Sequence, residues 1–143
     1  MSQQMLNILL VEDDELDVMN VKRAFKKNNI LNPLHVAGNG VEALEMLRGS
    51  GGVSPACPAE RRIILLDLNM PKMNGIEFLR ELRGDPGLRL IPVVVLTTSD
   101  EERDKADAYS YNVAGYILKP VPLSRFIETM ATLSNYWMLC ELP

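Results

Sequence analysis

The sequence predicts an α/β fold, a five-stranded parallel sheet doubly wound with helices on both faces. Two observations lead there. Five short apolar runs alternate with five stretches in which apolar residues recur at helical spacing, and turn-formers separate them. The central run, 63–66 (IILL), is apolar at four consecutive positions, as a strand buried on both faces must be.

Residues 6–11, LNILLV, form the first strand and end in Glu12, Asp13 and Asp14. Residues 15–28 follow as a helix, with Val18, Val21, Ala24 and Phe25 on one side and Arg23, Lys26 and Lys27 in the last turns, where cations suit the helix dipole. Leu16 and Met19 lie off that side. They are expected to widen the buried stripe; the alternative is an exposed apolar spot beside the acids, fit for a partner helix. A turn at Asn32 and Pro33 leads to a strand at 34–37, which carries the single histidine, His35, expected at an edge or surface. Gly38, Asn39 and Gly40 then start a helix over 41–48, with Val41, Ala43, Leu44 and Leu47 inward.

Residues 49–62, GSGGVSPACPAERR, have the composition of an exposed loop. The central strand follows and stops at Asp67, after which Pro71, Asn74 and Gly75 bend the chain. A helix over 75–83 buries Ile76, Phe78, Leu79 and Leu82, and Gly84, Asp85 and Pro86 end it. The fourth strand, 92–96 (PVVVL), runs into hydroxyls at Thr97, Thr98 and Ser99. Residues 100–110, DEERDKADAYS, make a helix with little apolar content, which should pack lightly and move easily. The fifth strand, 115–118, ends in Lys119 and Pro120, and the last helix, 123–133, turns Phe126, Ile127, Met130 and Leu133 inward. The tail 134–143 keeps Tyr136, Trp137, Met138, Leu139 and Leu142, an apolar arm to be buried against this domain or a second copy.

At 143 residues the chain fits one domain, 1–143. A net charge of −4 argues against nucleic-acid and anionic-membrane surfaces, which require clustered Lys and Arg. The apolar runs are strand-length and the N-terminus meets acids before it could be a signal peptide, so a soluble cytoplasmic protein is expected. Cys57 and Cys140, without CxxC spacing, are expected as unpaired thiols.

In a parallel sheet every strand points its carboxyl end to the same edge, where α/β folds place their crevice. That direction should gather Glu12, Asp13, Asp67, Thr97 and Lys119. Two like charges about 4 Å apart repel by roughly 4 kcal/mol at an effective dielectric near 20, so such acids require a cation. An all-oxygen set without His or Cys suits Mg2+. Asp13 and Asp67 are the expected direct ligands, with Glu12 acting through water and the Asn69 carbonyl as a third protein oxygen. An anion with several oxygens would be held between the metal and Lys119, and phosphoryl transfer needs little beyond such positioning. Asp67 is the natural nucleophile. A carboxylate can form an aspartyl phosphate, and being ionised it needs no general base.

The stretches LLVEDD (9–14), ILLDLNMPKMNG (64–75), VVVLTTS (93–99) and GYILKP (115–120) resemble the receiver domain of two-component response regulators, of the chemotaxis-regulator type. The resemblance spans about 6–134. It implies a flavodoxin-like sheet in the order 2-1-3-4-5 and Asp67 as phosphorylation site. It also implies Glu12 and Asp13 as the acidic pair with Mg2+, Lys119 as the phosphate contact, and Thr97 with Tyr116 as the switch pair. A cis bond between Lys119 and Pro120 is implied too. Glu12 stands where many members have Asp. The protein would be a phospho-acceptor for a sensor histidine kinase, with slow autodephosphorylation at most, rather than a turnover enzyme. LTTS, SYNVAGYILKP and the tail YWMLCELP are similar, within that family, to single-domain regulators paired with bacterial phytochromes. That narrower likeness implies a light-sensing kinase as donor and a homodimer built partly with the C-terminal arm.

Two rival readings remain. A haloacid-dehalogenase-type phosphatase also uses Asp, Mg2+, Thr and Lys, but it carries a general acid two positions after the nucleophile, where this chain has Asn69. An unphosphorylated receiver-like adaptor would not need the intact acids and Lys119.

Overall fold

The computed structural model describes residues 6–49 and 55–143. Ten elements alternate: β1 (Asn7–Val11), α1 (Glu15–Lys27), β2 (Leu34–Ala37), α2 (Gly40–Arg48), β3 (Arg62–Leu66), α3 (Gly75–Gly84), β4 (Val93–Thr97), α4 (Glu102–Ser110), β5 (Gly115–Leu118) and α5 (Leu123–Trp137). All strand pairs are parallel, in the order β2-β1-β3-β4-β5. This is the expected doubly wound arrangement.

Alternation along each strand divides the core in two. Leu9, Val11, Ile64, Leu66, Val93 and Val95 face one side, with residues of α2 and α3. Ile8, Leu10, Ile63, Leu65, Val94 and Leu96 face the other, with α1 and α5. Asn39 caps α2, and Asn74 begins α3 with a reciprocal capping box to Glu77. Among α4 residues only Ala108 is buried, and no side chain caps its start. The light packing expected of this helix is observed.

Two arginines hold backbone rather than acids. Arg83 of α3 donates to the carbonyls of Tyr111 (2.6 Å), Arg89 (2.8 Å), Ile91 (2.8 Å) and Asn112 (3.2 Å). It thereby fastens the carboxyl end of α4 to the α3–β4 connection. Arg62 is buried and donates to Leu47, Cys57 and Pro58 carbonyls, which draws the described part of the 49–62 loop inward and buries Cys57. Residues 50–54 of that loop lie outside the described residues. Both cysteines are free.

Four expectations are corrected. Val41 does not face inward: it is 44% exposed, because the inner side of α2 is Gly40, Ala43, Leu44 and Leu47. Leu16 and Met19 do not widen the buried stripe of α1: they are 61% and 48% exposed, because its inner side is Val21, Ala24 and Phe25. The last helix does not stop at Leu133 but runs to Trp137, since Trp137 continues the stripe of Phe126 and Met130 two turns on. It is buried beside Phe25 with ring centroids 6.3 Å apart. The Lys119–Pro120 bond is trans, as is every peptide bond among the described residues, and trans is favoured for X-Pro by about 0.5–1 kcal/mol.

Candidate functional site

The site is assembled by the sheet's own hydrogen bonds. The Asp67 amide donates to the Val11 carbonyl (3.0 Å), and the Lys119 amide to the Thr97 carbonyl (2.8 Å), so the tip of β3 is locked beside β1 and the tip of β5 beside β4. A loop then turns back tightly at Gly75, whose added Cβ would lie 2.7 Å from the Asp67 carbonyl oxygen and from Leu68 Cα. Only glycine permits that approach.

Glu12, Asp13 and Asp67 each bring a carboxylate oxygen within 4.8 Å of the others. Glu12 and Asp67 are buried, whereas Asp13 is exposed. Asp14 is not part of the group: its carboxylate caps α1 by accepting from the Leu16 and Asp17 amides. Lys119, with a side chain only 10% exposed, reaches Glu12 Oε1 at 2.5 Å and Asp17 Oδ2 at 2.9 Å, while Asp67 Oδ1 stands 4.0 Å away. Asp67 Oδ1 is buried and has no hydrogen-bond partner among the described residues.

Burial pushes the Glu12 carboxyl up to about 7; the charge of Asp67 adds to this, against the opposing effect of Lys119 and the Asp14 amide. Burial alone would lower the Lys119 pKa, but its hydrogen bonds to Glu12 and Asp17 outweigh it and hold the ammonium above its ordinary range. The site therefore keeps one fixed cation against several acids. An orphaned buried carboxylate oxygen, two further carboxylates in reach and the absence of nitrogen or sulfur donors in the cluster fit a hard divalent cation.

Thr97 is fully buried, and its Oγ1 accepts from the Ser99 amide (3.3 Å). The Tyr116 hydroxyl donates to the Ser99 carbonyl (2.8 Å), and Ser99 Oγ donates to Asp104 of α4. Burial raises the Tyr116 pKa, so the phenol stays protonated and able to donate. Thr97 and Tyr116 thus meet through Ser99, and Ser99 leads into α4. Asn69 is exposed, two residues beyond Asp67, and borders a hollow of about 400 Å³ with Leu68, Met70, Asn74, Ile76 and Asp104.

The geometry thus brings Glu12, Asp13, Asp67 and Lys119 together and sets Thr97 and Tyr116 beside them on adjoining strands. Sequence reasoning missed Asp17 and treated Ser99 only as one of three hydroxyls. A signal for Asp17 existed: a helix that starts at a strand tip keeps its first turn beside the crevice, so an acid there is near whatever the tips gather.

Residues 8–131 match the family described as response regulator receiver domain. The chain belongs to the response-regulator receiver family. This receiver domain is 37% identical over 131 residues to the probable methanogenesis regulatory protein FilR2 of Methanothrix harundinacea, covering 92% of this chain and 83% of FilR2. It is 35% identical to response regulator Rcp1 of Synechocystis sp., covering 92% and 88% of the two chains. A structure of Rcp1 in its Mn2+-bound form superposes with a TM-score of 0.82, at 37% identity over 95% of this chain and 97% of that one. The phosphorylated cyanobacterial phytochrome response regulator RcpA superposes with a TM-score of 0.88, at 35% identity over 98% of this chain and 99% of that one. The receiver domain is a signalling module, and the phosphatase reading is not favoured. No helix among the described residues is long and apolar enough to cross a membrane.

Proposed function

We propose that this receiver domain takes a phosphoryl group onto Asp67 from a sensor histidine kinase and signals by a change of shape. The observation that carries the reading is the Asp67 carboxylate itself. It is buried at the tip of β3, has one oxygen without a partner, and faces the Lys119 ammonium at 4.0 Å beside two further acids.

In this reading Glu12, Asp13, Asp67 and the Asn69 carbonyl hold the metal. Bound Mg2+ supplies positive charge that offsets the carboxylates and the incoming phosphoryl oxygens. An Asp67 oxygen forms the new bond to phosphorus as the bond from phosphorus to the kinase's imidazole nitrogen breaks. The imidazole keeps that electron pair and gains a proton from water. Lys119 donates to the phosphoryl group and fixes its orientation. The Thr97 hydroxyl, now amide-bound at Ser99, turns to the new acceptor, and Tyr116 moves with the Ser99 segment it grips. One or two such hydrogen bonds bias the two shapes by about 1–3 kcal/mol, which bounds the response.

RcpA's likeness over nearly the whole chain supports a phytochrome-type kinase as the donor in the cytoplasm. The exposed Leu16 and Met19, with the 97% exposed Val121 on the same rim, support docking of a partner helix beside the acids. Tyr136, Met138 and Leu139 are 63%, 57% and 85% exposed, which supports a homodimer that uses the C-terminal arm. Trp137 is excluded from that contact by its burial in the chain's own core. The negative net charge continues to argue against nucleic acid and membrane partners.

The test is incubation with acetyl phosphate, with and without Mg2+, followed by intact mass. A single phosphoryl gain that requires Mg2+ and is lost in Asp67→Asn supports the reading; the same gain in the variant sinks it. Thr97→Ala should still be phosphorylated while losing most of the change in partner affinity, and an unchanged response would remove that hydroxyl from the switch.

A further inference from the structure

We infer that Asp17 is a positioning residue for Lys119: a second acceptor that holds the ammonium back from Asp67 and so sets how firmly the pocket retains an anion. The inference rests on the reading of Asp67 as the phosphoacceptor. Lys119 has three N–H donors. Two are engaged, by Glu12 Oε1 at 2.5 Å and Asp17 Oδ2 at 2.9 Å, and the distance left to Asp67 Oδ1 is 4.0 Å, within ion-pair range but beyond a hydrogen bond. The cation needed at Asp67 is therefore parked to one side.

The two holders differ. The Glu12 side chain is 2% exposed and belongs to the carboxylate cluster that fits a metal. The Asp17 side chain is 34% exposed and lies outside that cluster, in the first turn of α1, where its amide is bonded to the Asp14 cap at 3.3 Å. Its carboxylate thus has Lys119 as its partner and no place in holding a metal. Removing it acts twice in one direction. It releases the Lys119 head from one of its two holders so that it can approach an anion at Asp67, and it deletes a negative charge from a crevice that must admit one. Asp17 also adjoins the exposed Leu16, so the tether lies on the rim over which a docked partner would sit.

The experiment uses the full chain with Mg2+ and beryllium trifluoride, a phosphoryl mimic, with affinity measured by calorimetry. Asp17→Asn and Asp17→Ala should each bind it about two- to fivefold more tightly, the range for a partly exposed charge, and lower the KM for acetyl phosphate. Asp17→Glu, which keeps the carboxylate, should return toward the parent value. A merely structural role would lower the melting temperature and leave affinity unchanged or weaker, and that result overturns the inference. Asp67→Asn, run in parallel, separates the two levels. If it still gains a phosphoryl group the underlying reading fails, whereas a silent Asp67→Asn with an unimproved Asp17→Asn defeats this inference alone.

Discussion

Gly75→Ala tests whether backbone closeness, rather than side-chain chemistry, sets Asp67. The new methyl carbon would stand 2.7 Å from the Asp67 carbonyl oxygen, Leu68 Cα and Leu68 Cδ2, whereas ordinary contact begins at 3.4 Å. Two of these three atoms are backbone, so the segment carrying Asp67 must retreat by about 0.7 Å, the difference between those distances. Over-packing of this kind costs about 1–3 kcal/mol, or roughly 4–12 °C in melting temperature for a chain of this length. Because a 1 Å misplacement can cost about 100-fold, the rate of phosphorylation by acetyl phosphate, followed by intact mass, should fall about 10- to 50-fold. Gly40→Ala is the control. Its Cβ also meets an atom at 2.7 Å, but the neighbours are Met73 Cγ, Sδ and Cβ, a flexible side chain that can move aside. It should cost under about 1 kcal/mol and keep the rate. A Gly75→Ala protein with parent-like melting and parent-like rate would refute the reasoning.

Three further outcomes are expected. Arg83→Met removes the donor to four carbonyls and should destabilise by about 2–4 kcal/mol in urea unfolding, with Arg83→Lys recovering less than half, since a point ammonium cannot reproduce the fork. Trp137→Ala should cost about 3–5 kcal/mol, while Tyr136→Ala, at an exposed position, stays within about 0.5 kcal/mol when the protein is held at monomeric concentration. His35 is held below its ordinary pKa by burial, so its neutral form contributes stability above about pH 6.5 that is lost as pH falls. His35→Gln should narrow the difference in melting temperature between pH 5.5 and pH 7.5, and an unchanged difference would remove His35 from the acid response.

The sheet and the acidic site were legible because both are written locally. Runs such as 63–66 announce buried strands, and Glu12, Asp67, Thr97 and Lys119 each fall where a run stops, so a shared strand direction suffices to gather them. What was not legible depends on pairings between distant backbone and flexible side chains. Arg83 gripping Tyr111 and Ile91, or Arg62 gripping Leu47, leaves no pattern in sequence, because a carbonyl is present at every position. Asp17 escaped because its meaning depends on where the Lys119 head settles. The helix α5 runs past Leu133 because burial of Trp137 beside Phe25 outweighs the weak helix preference of Ser134 and Asn135.

The Arg83 clasp has a mechanical consequence for α4. That helix is pinned at its carboxyl end by the hydrogen bonds to Tyr111 and Asn112, and its amino end hangs from the β4 loop through the Ser99–Asp104 contact, with Ala108 as its sole inward anchor. A rod fixed at one end and tethered at the other swings instead of sliding. A displacement of Ser99 passed to Asp104 is therefore expressed most at the amino end of the acidic Glu102–Ser110 surface and least near the pivot, and a surface that reads the signal gains most by touching the first turn.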